Sequence, residues 1–437
     1  MSALLQTINF NHLTNWSVAH LLESQFNYNQ AYELVKIGDF LTRNRNRITI
    51  DDNTEYKRVT IRMNNNGIAL RDRVMGRDIG TKKQFLIEKG QFLLSKIDAR
   101  NGAFGLATDE VDGAIITADF FAYEIDKTKI EPYFLVLMTT TKQFQRFAQG
   151  ASSGTTGRQR IDEKKFLDVK IPLPSLEKQK EIVDAYQSKI SLAEKQEQEA
   201  KEKEKEIEAY LYRELGIEVA QSNSKSEIFK IIDFSKLNIS WSLSDLLSSN
   251  DLKAKYKLIS LNEVAIIIMG SSPKSNELNT RCKGYQFIGG ASDIKNKNII
   301  SKRYIESSSK ISIKGDILYL VRATIGKPFI INDSYYLGRG VASIRVNENI
   351  ILRDYLIDIL ELFEDRIISL GKGSTFKQIS KPDLVNLEIP LPPLETQKKI
   401  VIYIEILKNE ILKLKEKSEQ NRVLALQEFE KEIFNEA

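Results

Sequence analysis

The chain has 437 residues, 42% of them hydrophobic, and its 64 Lys and Arg against 59 Asp and Glu give a net charge of +5. This length predicts about three domains, and the absence of any apolar run near the ~18 residues of a bilayer span excludes a membrane helix. The single cysteine, Cys282, excludes an internal disulfide and a thiolate metal cluster, and no export signal is visible. We therefore expect a cytoplasmic protein.

In chain order, the first half predicts strands, then a helix, then a polar loop. The strand-like segments are YKRVTIRM from Tyr56, QFLLSKI from Gln91 and GAIITADFFAYEI from Gly113. A helix is predicted to begin at Pro132 and to stop at Gly150, because proline suits the first turn and glycine the end. The loop GASSGTTGRQRI follows, and it is compatible both with a phosphate-binding loop and with a simple turn that ends the helix.

A proline-rich junction comes next, with the sequence IPLPSLEKQKEIV at positions 171–183. Each proline forces the preceding residue into an extended conformation, so a strand is predicted to end there and a helix to begin near Glu177. Apolar residues continue that helix to Leu215 at coiled-coil spacing. Forty residues span about 60 Å, too long to bury against one small domain. We interpret the KEKEKE section as a solvated face.

The second half repeats the first. IPLPPLETQKKIV at positions 389–401 matches the first junction at ten of thirteen positions, with an offset of 218 residues. Further matches in the same order are WSLSDLLSS from Trp241 with WSVAHLLES from Trp16, and KGDILYLVR from Lys314 with KGQFLLSKI from Lys89. A second long helix is predicted from Leu394 toward Phe434. The chain is therefore a tandem duplication, and each copy is predicted to be α+β, mostly strands with a helix at one end.

No self-sufficient active site is visible. The only histidines are His12 and His20, so zinc sites, serine triads and cysteine–histidine pairs lack their partners. GKGST at positions 371–375 lacks the spacing of a phosphate-binding loop, and no glycine fingerprint of a nucleotide fold is present.

Basic charge is concentrated once in each copy. Positions 43–100 contain 14 Lys and Arg against 7 Asp and Glu, and positions 253–345 contain 16 against 6. Segregated charge of this kind favours a polyanion partner, although scattered lysines also occur on ordinary solvated surfaces. Arginine, prominent in the first window, suits phosphates and guanine edges, so we predict binding to nucleic acid.

The doubled IPLPxLExQKxIV junction, which leads into a long helix and follows the SGTTGR and GSTFKQI loops, resembles the specificity subunit of type I restriction-modification systems. The resemblance covers essentially the whole chain. It implies two tandem mostly-β target recognition domains at 1–174 and 216–392, with conserved spacer helices at 175–215 and 393–437 that form an antiparallel coiled coil.

The same resemblance implies a non-catalytic subunit that reads a bipartite target in double-stranded DNA and docks methyltransferase subunits and, through them, restriction and motor subunits. No cofactor would be bound by this chain, because S-adenosylmethionine, ATP and magnesium belong to the partners. The two basic windows differ in sequence, so the target is expected to be asymmetric, with a gap set by the length of the helices.

Candidate DNA-contacting residues are the basic and hydroxyl side chains of the two windows and loops. In the first copy they are Arg58, Arg62, Arg71, Arg73, Arg77, Lys96, Arg100, Thr155, Arg158 and Arg160. In the second copy they are Lys274, Arg281, Lys283, Lys295, Lys297, Arg303, Arg322, Arg339, Thr375 and Lys377. Three alternatives stay open: the specificity subunit of a fused methyltransferase-nuclease, a nuclease with an unrecognised active site, and a coiled-coil scaffold without DNA function.

Overall fold

The computed structural model describes residues 28–141, 144–145, 152–153, 160–217, 252–307, 309–322, 324–371 and 377–434. The chain divides into two compact units, and each contains part of both long helices. Unit 1 comprises residues 1–196 and 416–437, and unit 2 comprises residues 197–415.

The described residues before position 218 form thirteen strands and three helices. The strands are β1 (Glu33–Lys36), β2 (Leu41–Arg43), β3 (Arg47–Thr49), β4 (Glu55–Ile61), β5 (Ile68–Met75), β6 (Lys83–Leu86), β7 (Phe92–Ser95), β8 (Phe104–Leu106), β9 (Ile115–Ile116), β10 (Phe120–Ile125), β11 (Ser152–Ser153), β12 (Arg160–Ile161) and β13 (Lys170–Leu173). The helices are α1 (Pro132–Thr140), α2 (Glu163–Leu167) and the long α3 (Leu176–Leu215).

The described residues after position 251 form twelve strands and five helices. The strands are β14 (Leu258–Ser260), β15 (Ala265–Met269), β16 (Leu278–Asn279), β17 (Tyr285–Ile288), β18 (Ile294–Lys295), β19 (Asn298–Ile299), β20 (Tyr304–Ile305), β21 (Ile317–Leu320), β22 (Gly326–Ile330), β23 (Tyr335–Leu337), β24 (Val341–Val346) and β25 (Glu388–Pro390). The helices are α4 (Leu261–Val264), α5 (Arg353–Leu362), α6 (Glu364–Leu370), α7 (Lys381–Val385) and the long α8 (Leu394–Ile433).

The sheets show the internal duplication directly. Unit 1 contains a four-stranded antiparallel sheet in the order β2-β10-β7-β8, and unit 2 contains its counterpart in the order β15-β24-β21-β22. A two-stranded antiparallel sheet of β1 with β13 in unit 1 likewise matches β14 with β25 in unit 2. The additional sheets differ. Unit 1 has β3-β6-β9-β4-β5, whereas unit 2 has β16-β20-β17-β23.

Each unit has its own apolar core, which includes residues of both long helices. In unit 1, Phe92, Phe104 and Phe166 are buried with Phe429 and Ile433 of α8. In unit 2, buried residues of the repeated sheet and of α5 pack with residues of both long helices. They include Ile317, Tyr319, Leu356, Leu211 and Ile404.

A buried glutamine fixes the start of each long helix. Gln179, fully buried, accepts a hydrogen bond at 2.8 Å from the Glu131 N–H, which precedes α1, and its amide donates to the carbonyls of Lys129 and Pro174. Gln397 accepts at 2.8 Å from the Leu352 N–H, which precedes α5, and donates to Ile350 and Pro392. The repeated LExQK motif thus joins the long helix to the globular part of its unit.

Within each unit the two long helices run antiparallel. In unit 1, Lys178 pairs with Glu432 at 3.5 Å and the Ser418 hydroxyl donates to the Ala193 carbonyl at 2.9 Å. In unit 2, charged residues of the KEKEKE section are not simply solvated. Lys203 and Glu204 form ion pairs with Glu410 and Lys415 of α8, at 2.5 and 2.7 Å. These pairs fix the register of the helices, as charges flanking a coiled-coil seam do.

The seam contains small residues that the apolar spacing did not predict. Ala193 and Ala200 in α3, and Ser418 and Ala425 in α8, are all buried. They continue the seven-residue repeat of the larger apolar residues Ile207 and Ile411. The helix pair is therefore consistent with a coiled coil whose seam includes small residues at these positions.

The prediction of one continuous helix from Pro132 to Gly150 was wrong, because the helix is interrupted at Thr141; residues 144–145 are helical again, and Gly150 lies outside the described residues. Helix α1 stops at Thr140, and Thr141 is extended with φ −68° and ψ 145°. The hydroxyls of Thr139, Thr140 and Thr141 each donate to the carbonyl three residues earlier, a local bond that competes with the helix. Likewise, the predicted strand from Gly113 is split into β9 and β10 by a turn at 117–119.

One pair of facing positions carries different polar groups in the two copies. In unit 2, Asp316 is 2% exposed and its carboxylate accepts from the guanidinium of Arg345 at 2.9 and 3.0 Å and from the Ser343 hydroxyl at 2.6 Å. The same facing positions in unit 1 hold Gln91 and Glu124, which are also hydrogen-bonded to each other.

Among the described helices, none is both long enough and apolar enough to cross a bilayer.

Candidate nucleic-acid interface

A first basic cluster, formed by Arg43, Lys96 and Arg160, lies at the end of the repeated sheet in unit 1. Arg43 ends β2, Lys96 directly follows β7, and Arg160 begins β12. The Lys96 N–H donates to the Asp119 carbonyl at 2.9 Å, and the Ile161 N–H donates to the Lys96 carbonyl at 2.9 Å. These backbone hydrogen bonds bring Lys96 and Arg160 together, although 64 positions separate them.

The cations of the first cluster are largely balanced by aromatic rings and carboxylates. The Arg43 guanidinium lies 4.0 Å from the Phe121 ring centroid, and the Lys96 ammonium lies 4.3 Å from the same ring. Arg160 pairs with Asp119 at 2.9 Å, and Arg43 lies 3.8 Å from Glu163. Burial lowers the pKa of Lys96, and the positive charge of Arg43 lowers it further. An Arg43 Nη1 group is buried without a hydrogen-bond partner.

A second basic cluster, formed by Arg322 and Arg339, lies at the equivalent place in unit 2. Strands β21 and β24 pair with Leu320 opposite Val341, and the Val321 N–H continues the ladder to the Gly340 carbonyl at 3.0 Å. Arg322 and Arg339 are the residues next to this last hydrogen bond, and Arg339 lies in the turn that precedes β24. Lys377 adjoins this cluster in sequence, because Arg322 forms a β-bridge with Gln378.

The backbone segments that carry the two clusters correspond to each other. The Ile379 N–H donates to the Val321 carbonyl at 2.9 Å, as the Ile161 N–H does to Lys96. Lys96 in unit 1 thus corresponds to Val321 in unit 2, and Arg160 corresponds to Gln378. Basic residues thus lie at the same end of the repeated sheet in both copies, but they occupy different positions in the alignment of the two copies.

A second group of candidates lies on the β4–β5 hairpin of unit 1. Arg58 and Asp72 face each other across the hairpin and form a double ion pair at 2.8 and 2.7 Å. Arg71 and Arg73 are more exposed and lie 3.7 and 3.8 Å from Asp72 and Glu55. Arg62 is exposed just beyond β4, and Arg77 is exposed in the turn after β5. This hairpin presents several cations to solvent, with Arg58 occupied by its carboxylate.

The remaining candidates of unit 2 are spread over turns and hairpins. Lys295 and Lys297 lie on the exposed β18–β19 hairpin, in which Asn296 and Lys297 both have positive φ. Lys274, Arg281 and Lys283 are exposed near β16. The Arg303 guanidinium instead pairs with Asp293 at 2.7 Å and lies 4.8 Å from the Phe287 ring.

Four candidates lie partly or wholly beyond the described structure. Thr155, Arg158 and Thr375 are outside the described residues, as are His12, His20 and the Trp16 and Trp241 segments, and the side chain of Arg100 is not described. Arg43 lies in the first basic cluster but is not among the candidate residues. Arg43 belongs to the basic window, but the strand registers place it opposite Tyr123 where the second copy has Ile267 opposite Ile344. Comparison of the two copies therefore gave no signal for it.

In the described ranges, no group of three or more His, Cys, Asp or Glu side chains is arranged to hold a metal ion.

Comparison with known families gives a match over most of the chain. The family described as "Type I restriction modification DNA specificity domain" matches twice, at residues 29–205 and 253–423. The two matched segments correspond to the two copies of the duplicated module.

Individual relatives agree with the family match. The chain is 28% identical over 313 residues to the putative type I restriction enzyme MjaX specificity subunit of Methanocaldococcus jannaschii, which covers 71% of this chain and 68% of the relative. It is 24% identical over 413 residues to the MjaVIII specificity subunit of the same organism, with 89% of each chain covered.

The fold also matches a solved structure. That structure concerns complex assembly and conformational transition of the type I R-M system, and its matching chain has a TM-score of 0.63 and 21% identity. The match covers 93% of this chain and 99% of that chain.

Proposed function

Because the chain belongs to the family of type I restriction modification DNA specificity domains, we propose that it is the non-catalytic specificity subunit of such a system. In this role it recognises a bipartite, asymmetric target in double-stranded DNA. The domain limits that go with this role are recognition domains at 1–174 and 216–392 and spacer helices at 175–215 and 393–437.

The observation that carries the proposal is a cluster of basic residues at the same end of the repeated sheet in each copy. Each family match contains one repeated antiparallel sheet, and each sheet ends in a cluster of Lys or Arg side chains. Cations grouped in this way neutralise DNA phosphates and release bound counterions, which adds affinity. Because the clusters differ residue by residue, the two half-sites are expected to differ.

The proposed partners are DNA, methyltransferase subunits and, through these, restriction and motor subunits. The S-adenosylmethionine, ATP and magnesium used by the assembled enzyme would be bound by those partners. The candidate residues of both copies then divide into phosphate contacts, which act on every sequence, and base contacts, which specify. The exposed, weakly paired cations are the better candidates for phosphate contacts.

The test is to express the chain together with a type I methyltransferase subunit that forms a complex with it and to map methylated bases across the host genome. A split recognition sequence with two different half-sites is expected, and it should disappear when this chain is omitted. Methylation that is independent of the chain, or salt-insensitive DNA binding by the complex, would contradict the proposal. Cleavage of DNA by the purified chain with magnesium alone would instead indicate a nuclease.

A further inference from the structure

We propose that Arg322 and Arg339 form a preassembled site for one DNA phosphate in unit 2. This inference rests on the proposed function for the identity of the anion, but its geometry stands on the structure of unit 2 alone. It identifies a DNA-positioning element that unit 1 lacks at the same place.

The first step is the neighbouring backbone positions of the two arginines. The pairing of Leu320 with Val341 is followed by a hydrogen bond from the Val321 N–H to the Gly340 carbonyl, and Arg322 and Arg339 are the residues next to this bond. Arg339 lies in the turn that the Val341 N–H closes on the Gly338 carbonyl at 3.1 Å. Like charges on neighbouring backbone positions repel each other, which is destabilising. Two arginines that repel each other are expected to be kept for an anion that both can bind.

The second step is the absence of a protein anion to balance them. Within the described part of the chain, neither arginine forms an ion pair, and the Nε–H of Arg322 is buried without a hydrogen-bond partner. Burial lowers the pKa of Arg322, and the nearby charge of Arg339 lowers it further. A phosphate would accept from the guanidinium groups and reverse the repulsion, because arginine forks match phosphate oxygens.

The third step is the rigid backbone on which Arg339 is held. Its neighbours Gly338 and Gly340 pack against Gly289 so closely that an added Cβ would lie 2.7 Å from the Gly289 Cα and 2.5 Å from the Gly289 carbonyl oxygen, respectively. The Gly338 and Gly340 N–H groups donate to the carbonyls of Ile288 and Gly289, at 2.7 and 3.0 Å. Arg339 therefore projects from a fixed point rather than from a free loop.

The contrast with unit 1 makes the site specific to the second copy. The corresponding positions in unit 1, next to the hydrogen bond from the Lys96 N–H to the Asp119 carbonyl, hold Ile97 and Ala118. The cations of the first basic cluster, in addition, are balanced by Asp119, by Glu163 and by the Phe121 ring. We therefore expect unit 2 to contribute an unbalanced phosphate contact that unit 1 does not match at this edge.

The experiment measures binding of the full chain, with its methyltransferase partner, to a duplex of randomised sequence over a potassium chloride series. Arg322→Gln, Arg339→Gln and the double variant are compared with Lys302→Gln, which removes an exposed positive charge from the same unit. One shared phosphate predicts that the slope of log affinity against log salt falls by about 1 in the double variant, whereas two separate phosphates predict a fall of about 2.

The double-mutant cycle gives an independent result. If both side chains hold the same phosphate, each single variant should weaken binding about tenfold and the double variant only slightly more, because neighbouring groups that share a partner are not additive. Additive losses, or a slope equal to that of Lys302→Gln, would overturn the proposal.

A second readout does not depend on DNA. In low-salt chloride buffer each single glutamine variant should melt at a higher temperature than the wild type, because it removes the repulsion. Potassium sulfate at matched ionic strength should stabilise the wild type more than the double variant. Lower melting temperatures, or equal stabilisation by sulfate, would show that the arginines have a structural role only. Failure of the wild-type complex to bind DNA would contradict the proposed function, while the sulfate comparison would still decide this site.

Discussion

Gln179 and Gln397 occupy the same position in the two copies and make the same three hydrogen bonds with their side-chain amides. Each accepts from the N–H group that precedes the helix of its globular domain, and each donates to one carbonyl there and to one carbonyl of the proline junction. The repeated junction, which is the strongest sequence signal in the chain, therefore holds the start of each long helix against the globular part of its own unit.

Replacement of Gln397 by leucine should destabilise unit 2 by about 2 to 3 kcal/mol. The substitution leaves the Leu352 N–H and the Ile350 and Pro392 carbonyls without this partner in a buried place, and each such loss is costly. Chemical unfolding of the full chain measures the effect. Gln397→Glu is the matched variant, since it keeps the acceptor but loses the two donated bonds. Wild-type stability in both variants would contradict this account.

The ion pair of Asp358 with Lys408 joins α5 to α8 within unit 2, at 2.7 Å. Lys408→Met should cost about 3 kcal/mol, because it leaves Asp358 buried without its partner. Residues at the equivalent positions of the first copy are Leu137 and Ile190, so the double variant Asp358→Leu with Lys408→Ile should restore most of that loss. Thermal unfolding of the three variants checks the order, and a double variant less stable than Lys408→Met would refute it.

The same pair gives unit 2 a pH dependence. Burial raises the pKa of Asp358 from 3.8 to about 6, despite the opposing charge of Lys408. A raised carboxyl pKa means that the folded state binds the proton more tightly than the unfolded state, so this contribution to stability is present below about pH 4 and is lost as the pH rises to about 6. Asp358→Asn should remove this component from the unfolding free energy measured between pH 4 and pH 7. An unchanged profile would contradict the assignment.

Arg58 and Arg71 should respond differently to substitution, although both belong to the first basic window. Arg58 forms a double hydrogen-bonded ion pair with Asp72. The Arg71 side chain is 60% exposed, and its nearest approach to the same carboxylate is 3.7 Å, too long for a hydrogen bond. Arg71→Gln should lower the salt dependence of DNA binding by about 1 in slope. Arg58→Gln should chiefly destabilise the hairpin by up to about 1 kcal/mol. Filter binding over a salt series separates the two outcomes.

The length of the helix pair is predicted to set the gap between the half-sites. A seven-residue insertion after Gln196 in α3, matched by one after Lys415 in α8, keeps the heptad register and adds about 10 Å. The methylated sequence should then gain about three base pairs in its spacer with both half-sites unchanged. Altered half-sites with a fixed spacer would refute the prediction. An insertion in α3 alone is the control, and it should disrupt the helix pair.

The repeated junction, the long helices and the strand-rich copies could be predicted because each depends on local chemistry. Prolines end β13, apolar spacing continues α3, and β-branched residues form β24. The seam positions of Ala193 and Ser418 could not be predicted, because small residues carry little apolar signal and their burial depends on the facing helix.

The candidate site was predictable only in composition. The basic windows predicted which segments carry the cations. Which of these cations are available to DNA depends on their ion pairs, and the ion pairs depend on the register of strands that are distant in sequence. Arg303 pairs with Asp293, Arg58 pairs with Asp72, and Arg322 has no such partner among the described residues. The position of Arg339 near Arg322 follows from the pairing of β21 with β24, which no local pattern reveals.

The facing polar pairs next to β7 and β21 differ between the two copies: Gln91 faces Glu124 in unit 1, and Asp316 faces Arg345 in unit 2. This difference limits how the two halves of the gene can recombine. Gene conversion that copied the β10 segment onto β24 alone would place glutamate opposite Asp316, and two carboxylates would then share a buried site without Arg345. The reverse transfer would bring an arginine against Gln91, with no carboxylate at that facing position. Viable crossovers must therefore carry both strands of a sheet together, so that recognition modules are inherited as intact blocks.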